Sequence, residues 1–164
     1  MDHASDCVGK KLAPFNPSGQ HVISKAIEIM EICESDVFYD LGCGDGRLLV
    51  EVVKATGARA VGVEYDKRFA NRAHQRVKEA ELGSKIEIIH GNLLGKDLTE
   101  ATALFLYLVP EGLAAVRLSI LALLRRGGRV ASYVFSVPDL VPVRVEKFKA
   151  TKLYLYTRDS LGPP

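Results

Sequence analysis

Residues 37–54 read VFYDLGCGDGRLLVEVVK: an apolar run ending near Asp40, a turn carrying Gly42, Gly44 and Gly46, then an amphipathic run. A strand that stops at such a turn and restarts as a helix gathers backbone N–H groups at the helix N-terminus, where polar or anionic parts of a small ligand can dock. Glycines there reach torsions closed to other residues and carry no Cβ to block a ligand's approach. The turn is nevertheless acidic. A dinucleotide turn reads G-x-G-x-x-G and neutralises a pyrophosphate. Here the glycines alternate, Arg47 stands where the third would be, and Asp40 and Asp45 flank the gap. Two carboxylates repel a pyrophosphate and favour a ligand that carries positive charge.

A third carboxylate belongs to the same reading. Residues 59–65, RAVGVEY, form a second strand-like run that places Glu64 about 20 residues beyond the turn, where nucleotide-binding α/β folds use an acid to accept ribose hydroxyls. The plain alternative is a solvated strand end. Residues 85–90, KIEIIH, alternate as a strand does and lead into Gly91-Asn92-Leu93-Leu94, with His90 as a strand-end residue. Asn92 is either a turn asparagine or an amide whose oxygen accepts a hydrogen bond from the ligand. Residues 103–109, ALFLYLV, are apolar throughout, as a parallel strand covered on both faces must be, and Pro110 ends them.

The elements that position these residues follow from periodicity. Two prolines stiffen residues 13–18, APFNPS, and Ser18 can cap a helix over 19–33, where Val22, Ile23, Ala26, Ile27, Met30 and Ile32 recur at helical spacing. Phe15, held between the prolines, either closes over the ligand or staples that helix. His21, near the helix start, reads as a surface or capping histidine. A charged helix over 67–82 turns Phe69, Ala73, Val77 and Ala80 to the sheet and stops at Gly83. A further helix spans 111–125, and a strand 129–135. Only residues 136–142 then precede two strand-like runs, 143–148 and 152–157, leaving no room for another helix. The chain therefore closes as an antiparallel hairpin with a polar tail, and Arg144, Lys147, Lys149 and Lys152 form a solvated face.

With 164 residues the chain makes one domain, burying about 70% of its unfolded surface. Residues 1–12 form a loose polar segment and 13–164 the domain. The balance of 22 basic against 20 acidic residues lacks the strongly basic footprint of a nucleic-acid binder. Cys7, Cys33 and Cys43 are odd in number and lack metal-ligand spacing, which fits free thiols in a reducing compartment and no bound metal. Cys43 reads as a small side chain in a tight loop rather than a nucleophile, since no histidine is near it in sequence. No apolar run reaches the ~18 residues of a membrane span, and residues 1–11 lack a signal or transit pattern. The expectation is an intracellular protein, cytoplasmic, with the mitochondrion as the alternative.

D-L-G-C-G-D-G after an apolar strand resembles motif I of the seven-strand, class I S-adenosylmethionine-dependent methyltransferases. That resemblance implies a Rossmann-like, doubly wound α/β sheet of order 3-2-1-4-5-7-6 with strand 7 antiparallel, here lacking the helix between strands 5 and 6. It implies S-adenosylmethionine as cofactor, with donor-binding positions at Asp40, Gly42, Cys43, Gly44, Gly46, Glu64, Tyr65, Asn92 and Leu93. The family pattern has aspartate at the Asn92 position, facing the adenine amino group. Enzymes that methylate planar bases carry D/N-P-P-Y after strand four; Leu108-Val109-Pro110-Glu111 departs from it, which argues against a nucleic-acid base as acceptor.

A-P-F-N-P-S, V-G-V-E, G-N-L-L, L-F-L-Y-L-V-P and Y-L-Y-T narrow the comparison. Together they are similar to the small lysine methyltransferases that act on the mitochondrial adenine nucleotide translocase and ATP synthase c subunit, and to their microbial relatives. This implies a protein substrate and catalytic candidates at Phe15, Asn16, Tyr107 and Glu111, with Tyr133 beside them. A small-molecule methyltransferase and a non-catalytic module of the same fold are the alternatives.

Overall fold

The computed structural model describes residues 19–163. The expectations for the loose segment 1–12, for Cys7, for Phe15 and Asn16 between the prolines and for capping by Ser18 lie outside the described residues. The elements are α1 (Gln20–Ile29), β1 (Val37–Leu41), α2 (Arg47–Thr56), β2 (Arg59–Glu64), α3 (Lys67–Glu79), β3 (Ile86–His90), β4 (Ala103–Leu106), α4 (Pro110–Ala115), α5 (Arg117–Arg125), β5 (Arg129–Tyr133), β6 (Arg144–Lys147), β7 (Lys152–Tyr156) and a 3-10 helix at Arg158–Leu161. The strands form one sheet in the order β3-β2-β1-β4-β5-β7-β6. β7 runs antiparallel to β5 and β6, and the other pairs are parallel. This is the expected doubly wound, Rossmann-like topology, and no helix stands between β5 and β6.

Period-two alternation divides the sheet's side chains between two cores. Phe38, Phe105 and Ala131 pack under α1, α2 and α3 with Val22, Ile23, Leu49, Val52 and Val77. Tyr39, Leu41, Leu104, Leu106 and Val130 pack on the other face with Leu113, Ile120, Leu123 and Leu124 of α4 and α5. β4 is buried at every position, as its unbroken apolar run requires.

A polar knot that sequence reasoning missed fastens the N-terminal edge of the sheet. Asp36, just before β1, accepts hydrogen bonds from two Arg129 nitrogens at 2.9 and 2.7 Å, from Thr102 Oγ1 at 2.7 Å and from the Cys33 N–H at 2.9 Å. Arg129 Nε also donates to the Met30 carbonyl at 2.9 Å, so one guanidinium ties the end of α1 to the starts of β1, β4 and β5. Burial raises the Asp36 carboxyl, but the bonds from Arg129 and Thr102 outweigh it and hold the group well below the usual carboxylate range.

Several boundaries differ from the sequence expectations. α1 and α3 stop early because Glu31 (φ 51°) and Glu81 (φ 58°) take left-handed torsions. The next residues, Ile32 and Leu82, donate back to Ile27 and Val77 at 3.3 and 3.1 Å and fold onto the core. That apolar contact offsets the ~1–2 kcal/mol cost of a left-handed non-glycine residue, and Gly83 is not the stop. The N-cap of α1 is Gly19. The helix after β4 breaks at the buried Val116, letting both Leu113 and Ile120 reach one core. β5 ends at Tyr133 because Val134 turns left-handed (φ 73°). The tail is not simply polar: its 3-10 helix buries Ser160 and packs Leu161 on the core beside α5.

Asp36→Ala leaves Arg129 without its buried partner and lowers unfolding free energy by about 3 kcal/mol in urea titrations. Because the folded carboxyl is depressed, its contribution is full above the unfolded value near ~3.9 and disappears as pH falls below it; the variant therefore loses less stability on acidification than the wild type. Glu81→Gly raises stability by about 1 kcal/mol in the same assay, since glycine takes the left-handed torsion without strain.

Candidate active site

β1 lies between β2 and β4, where the winding reverses direction, and a crevice opens at the carboxyl ends of such strands. The turn after β1 holds Gly42, Gly44 and Gly46 at φ 85°, 57° and 79°. A Cβ added at Gly44 would meet nothing within 4 Å, whereas one at Gly46 would meet Ala73 Cβ at 3.0 Å. One glycine thus keeps the crevice side clear and the other admits α3. Gly62 on β2, overlooked in the sequence, is as necessary: a Cβ there would strike Leu49 at 2.4 Å and the Cys43 sulfur at 2.7 Å. Its signal was a glycine inside an otherwise apolar strand.

The turn's amides are not left open as the sequence suggested. Gly42 and Cys43 donate to the Val63 carbonyl at 2.7 and 3.0 Å, and Gly44 donates to Glu64 Oε2 at 2.7 Å. Glu64 Oε1 accepts the Asp66 N–H at 3.0 Å, so this half-buried carboxylate is fixed from two sides while each oxygen keeps a free lone pair. Asp40 is buried, and burial first, then the Glu64 carboxylate, push its carboxyl up to about 8. Burial and the same two acids push the Cys43 thiol far above its ordinary value, which removes it as a nucleophile at neutral pH. Asp45 turns away from the crevice: Arg76 donates to its carboxylate at 3.3 Å and to its carbonyl at 3.1 Å, and Arg47 lies 3.6 Å from it. The acidic pair at the crevice is therefore Asp40 with Glu64, rather than Asp40 with Asp45.

The loop after β3 reaches the same edge. Gly91 donates to the Glu64 carbonyl at 2.9 Å, and Asn92 Oδ1 accepts the Leu94 N–H at 2.9 Å, so Asn92 shapes its own turn with one acceptor lone pair in reserve. Leu93 is buried, while Tyr65 is 52% exposed, with its carbonyl 3.1 Å from His90 Nε2.

Register places the other side of the crevice. Asp40 pairs with Phe105, and Phe105 with Ala131, so the next same-face positions, Tyr107 and Tyr133, stand one step beyond Asp40 toward the carboxyl edge. Their rings meet edge to face with centroids 5.0 Å apart, beneath the α1 layer. Glu111 follows Pro110 in the first turn of α4 and is exposed. His21 is exposed and meets the Phe148 ring. Among the described residues no cluster of histidine, cysteine or acidic groups is arranged to hold a metal ion, and no helix is long and apolar enough to cross a membrane.

Sheet order, glycine turn and paired carboxylates together define a class I S-adenosylmethionine-dependent methyltransferase. Within that class the chain belongs to the ANTKMT methyltransferase domain family, whose profile matches residues 40–144. A protein-lysine N-methyltransferase of Saccharolobus islandicus is 28% identical over 148 residues, covering 87% of this chain and 92% of that protein. An RNA methyltransferase of Salinibacter ruber, solved with S-adenosyl-L-homocysteine, superposes with a TM-score of 0.83 at 32% identity over 87% of this chain and 93% of its own. The methyltransferase yhhF of Escherichia coli shares the fold alone, with a TM-score of 0.70 at 17% identity over 93% of each chain. The cofactor of this enzyme is S-adenosylmethionine.

The Asp40 carboxyl gives a pH signature. Its folded value lies above the unfolded one, so the folded state binds the extra proton between about pH 4 and 8 and stability declines as pH rises through that interval. Asp40→Asn abolishes the decline. At pH 8 the variant is more stable than the wild type by about 5 kcal/mol, and at pH 4 the two are nearly equal, as read by thermal or urea unfolding.

Proposed function

We propose that this enzyme transfers methyl groups to protein lysine side-chain amines. The observation that carries the reading is the acceptor side of the crevice, where Tyr107, Val109 and Pro110 follow β4 one step beyond Asp40. An aliphatic amine can slide along such a wall, and an aromatic face holds its cationic form. A flat base would need polar groups gripping its exocyclic nitrogen, which this segment does not offer. The near end-to-end similarity to an archaeal protein-lysine N-methyltransferase supports the same acceptor.

The residues present suit the donor. Glu64, with a lone pair free on each oxygen, is assigned the ribose hydroxyls, and Asp40 the cationic amino-acid end, whose charge would offset the cost of ionising the buried carboxyl. Gly42, Cys43, Gly44 and Gly46 form the floor, with Gly44 open to close approach. Tyr65, Asn92 and Leu93 are assigned the adenine side. When bound, the donor supplies a methyl group on a positively charged sulfur, and that bond breaks toward sulfur as the amine lone pair bonds to carbon. The chain's part is alignment and exclusion of water rather than acid–base chemistry, and the amine gives up its proton to solvent beforehand. Phe15, Asn16 and Glu111 remain proposed acceptor-side residues. A single domain over residues 13–164, acting in the cytoplasm, belongs to the same proposal.

The similarity to an RNA methyltransferase gives one rival acceptor. Incubation with radiolabelled S-adenosylmethionine and a cell lysate decides between them. Label destroyed by protease, insensitive to ribonuclease and recovered as methyl-lysine after hydrolysis supports the proposal; ribonuclease-sensitive label overturns it. For the donor site, Glu64→Ala weakens S-adenosylhomocysteine binding at least about 30-fold by calorimetry, as expected for losing charge-assisted hydrogen bonds to two hydroxyls.

A further inference from the structure

The turn joining β6 and β7 reaches back to the tyrosine row at the crevice. Phe148 donates its N–H to the Thr151 carbonyl at 2.9 Å, closing a tight turn over residues 148–151. From this turn the Thr151 hydroxyl shares a hydrogen bond of 3.0 Å with the Tyr133 hydroxyl. The Phe148 ring lies edge-on to Tyr133 at 6.4 Å and to His21 at 5.3 Å. With the Tyr107 and Tyr133 rings 5.0 Å apart, four rings run from the exposed His21 at the start of α1 inward to Tyr107, one step beyond Asp40. The backbone beneath is held hard. Val134, a β-branched residue at φ 73°, donates to the Lys152 carbonyl at 2.8 Å, ending β5 immediately after Tyr133 and pinning it to β7. A left-handed valine is a genuine outlier, and such strain persists only where the surroundings enforce it.

We propose that this row is the subsite for the acceptor's alkylammonium group, that the turn over residues 148–151 forms its outer wall, and that Thr151 is a positioning residue that fixes Tyr133 in it. The proposal rests on the lysine reading above and adds the element that selects the acceptor. Tyr133 is buried, and with its hydroxyl tied back to Thr151 its ring is already fixed in the row, so an ammonium reaching it would pay no ordering cost for that ring. The absence of a helix between β5 and β6 gives this wall to a short hairpin turn.

The test needs no knowledge of the natural acceptor. Two probes are compared by calorimetry: 5′-deoxyadenosine carrying a tertiary amine at C5′ with a four-carbon ammonium arm, and the same nucleoside with a methyl group in place of the arm. In the wild type the arm tightens binding about tenfold, the range expected for an ammonium against desolvated rings. Tyr133→Phe and Thr151→Val reduce that gain to under about threefold, Thr151→Ser preserves it, and S-adenosylhomocysteine affinity stays within about twofold in all of them. No gain from the arm in the wild type, an undiminished gain in Thr151→Val, or a loss in Thr151→Ser equal to that in Thr151→Val overturns the proposal. Failure of the wild type to bind S-adenosylhomocysteine is a separate result, which removes the donor site and this subsite with it, whereas donor binding without any arm effect removes the subsite alone.

Discussion

The contact on which the site depends is the hydrogen bond from the Gly44 amide to the Glu64 carboxylate. It joins the turn after β1 to the end of β2, so the two segments that border the crevice cannot move independently. It also fixes a negative charge beside a second, buried carboxyl. Two acids held this close cannot both ionise cheaply, and Asp40 carries the cost. A ligand bearing positive charge relieves it. The protein stores an electrostatic mismatch in its free state that a cationic group beside Asp40 would relax.

Around that contact the fold is a problem of space as much as of charge. The turn can lie flat against β2 only because Gly62 leaves room for the Cys43 sulfur and for Leu49 of α2. The first two amides of the turn are spent on the Val63 carbonyl, which anchors it to the sheet and removes the anion cradle that a similar turn gives a dinucleotide. At the opposite edge of the sheet, Arg129 and Asp36 hold the strand starts in place. One end of the sheet is thus fastened by a satisfied ion pair and the other carries an unsatisfied acidic one, and only the second is available for work.

The missing helix and the acidic glycine turn were legible in the sequence because each rests on local pattern: apolar periodicity, glycine placement, and too few residues between two strand-like runs; the strand order followed from the family resemblance that the turn carries. What was not legible depends on tertiary partners. Asp45 looked equivalent to Asp40, and only the approach of Arg76 from α3, 31 residues away, commits it to another role. Glu81 and Glu31 end helices in a torsion that propensity assigns to glycine, because the apolar residue that follows each has a place in the core. The Asp36–Arg129 pair spans 93 positions and leaves no mark in a local reading.

β6 is the outermost strand, and Val141 and Val143 before it and Val145 on it face solvent, at 74%, 46% and 39% exposure. An edge with unpaired backbone groups and a row of valines is a template on which another chain could add a strand. Arg144, Lys147, Lys149 and Lys152 crowd that same margin. Juxtaposed with their counterparts on a second copy, they would repel. The sheet that gained a short turn beside its tyrosines in place of a covering helix thus has, among the described residues, an open edge whose own charges oppose the pairing its valines invite.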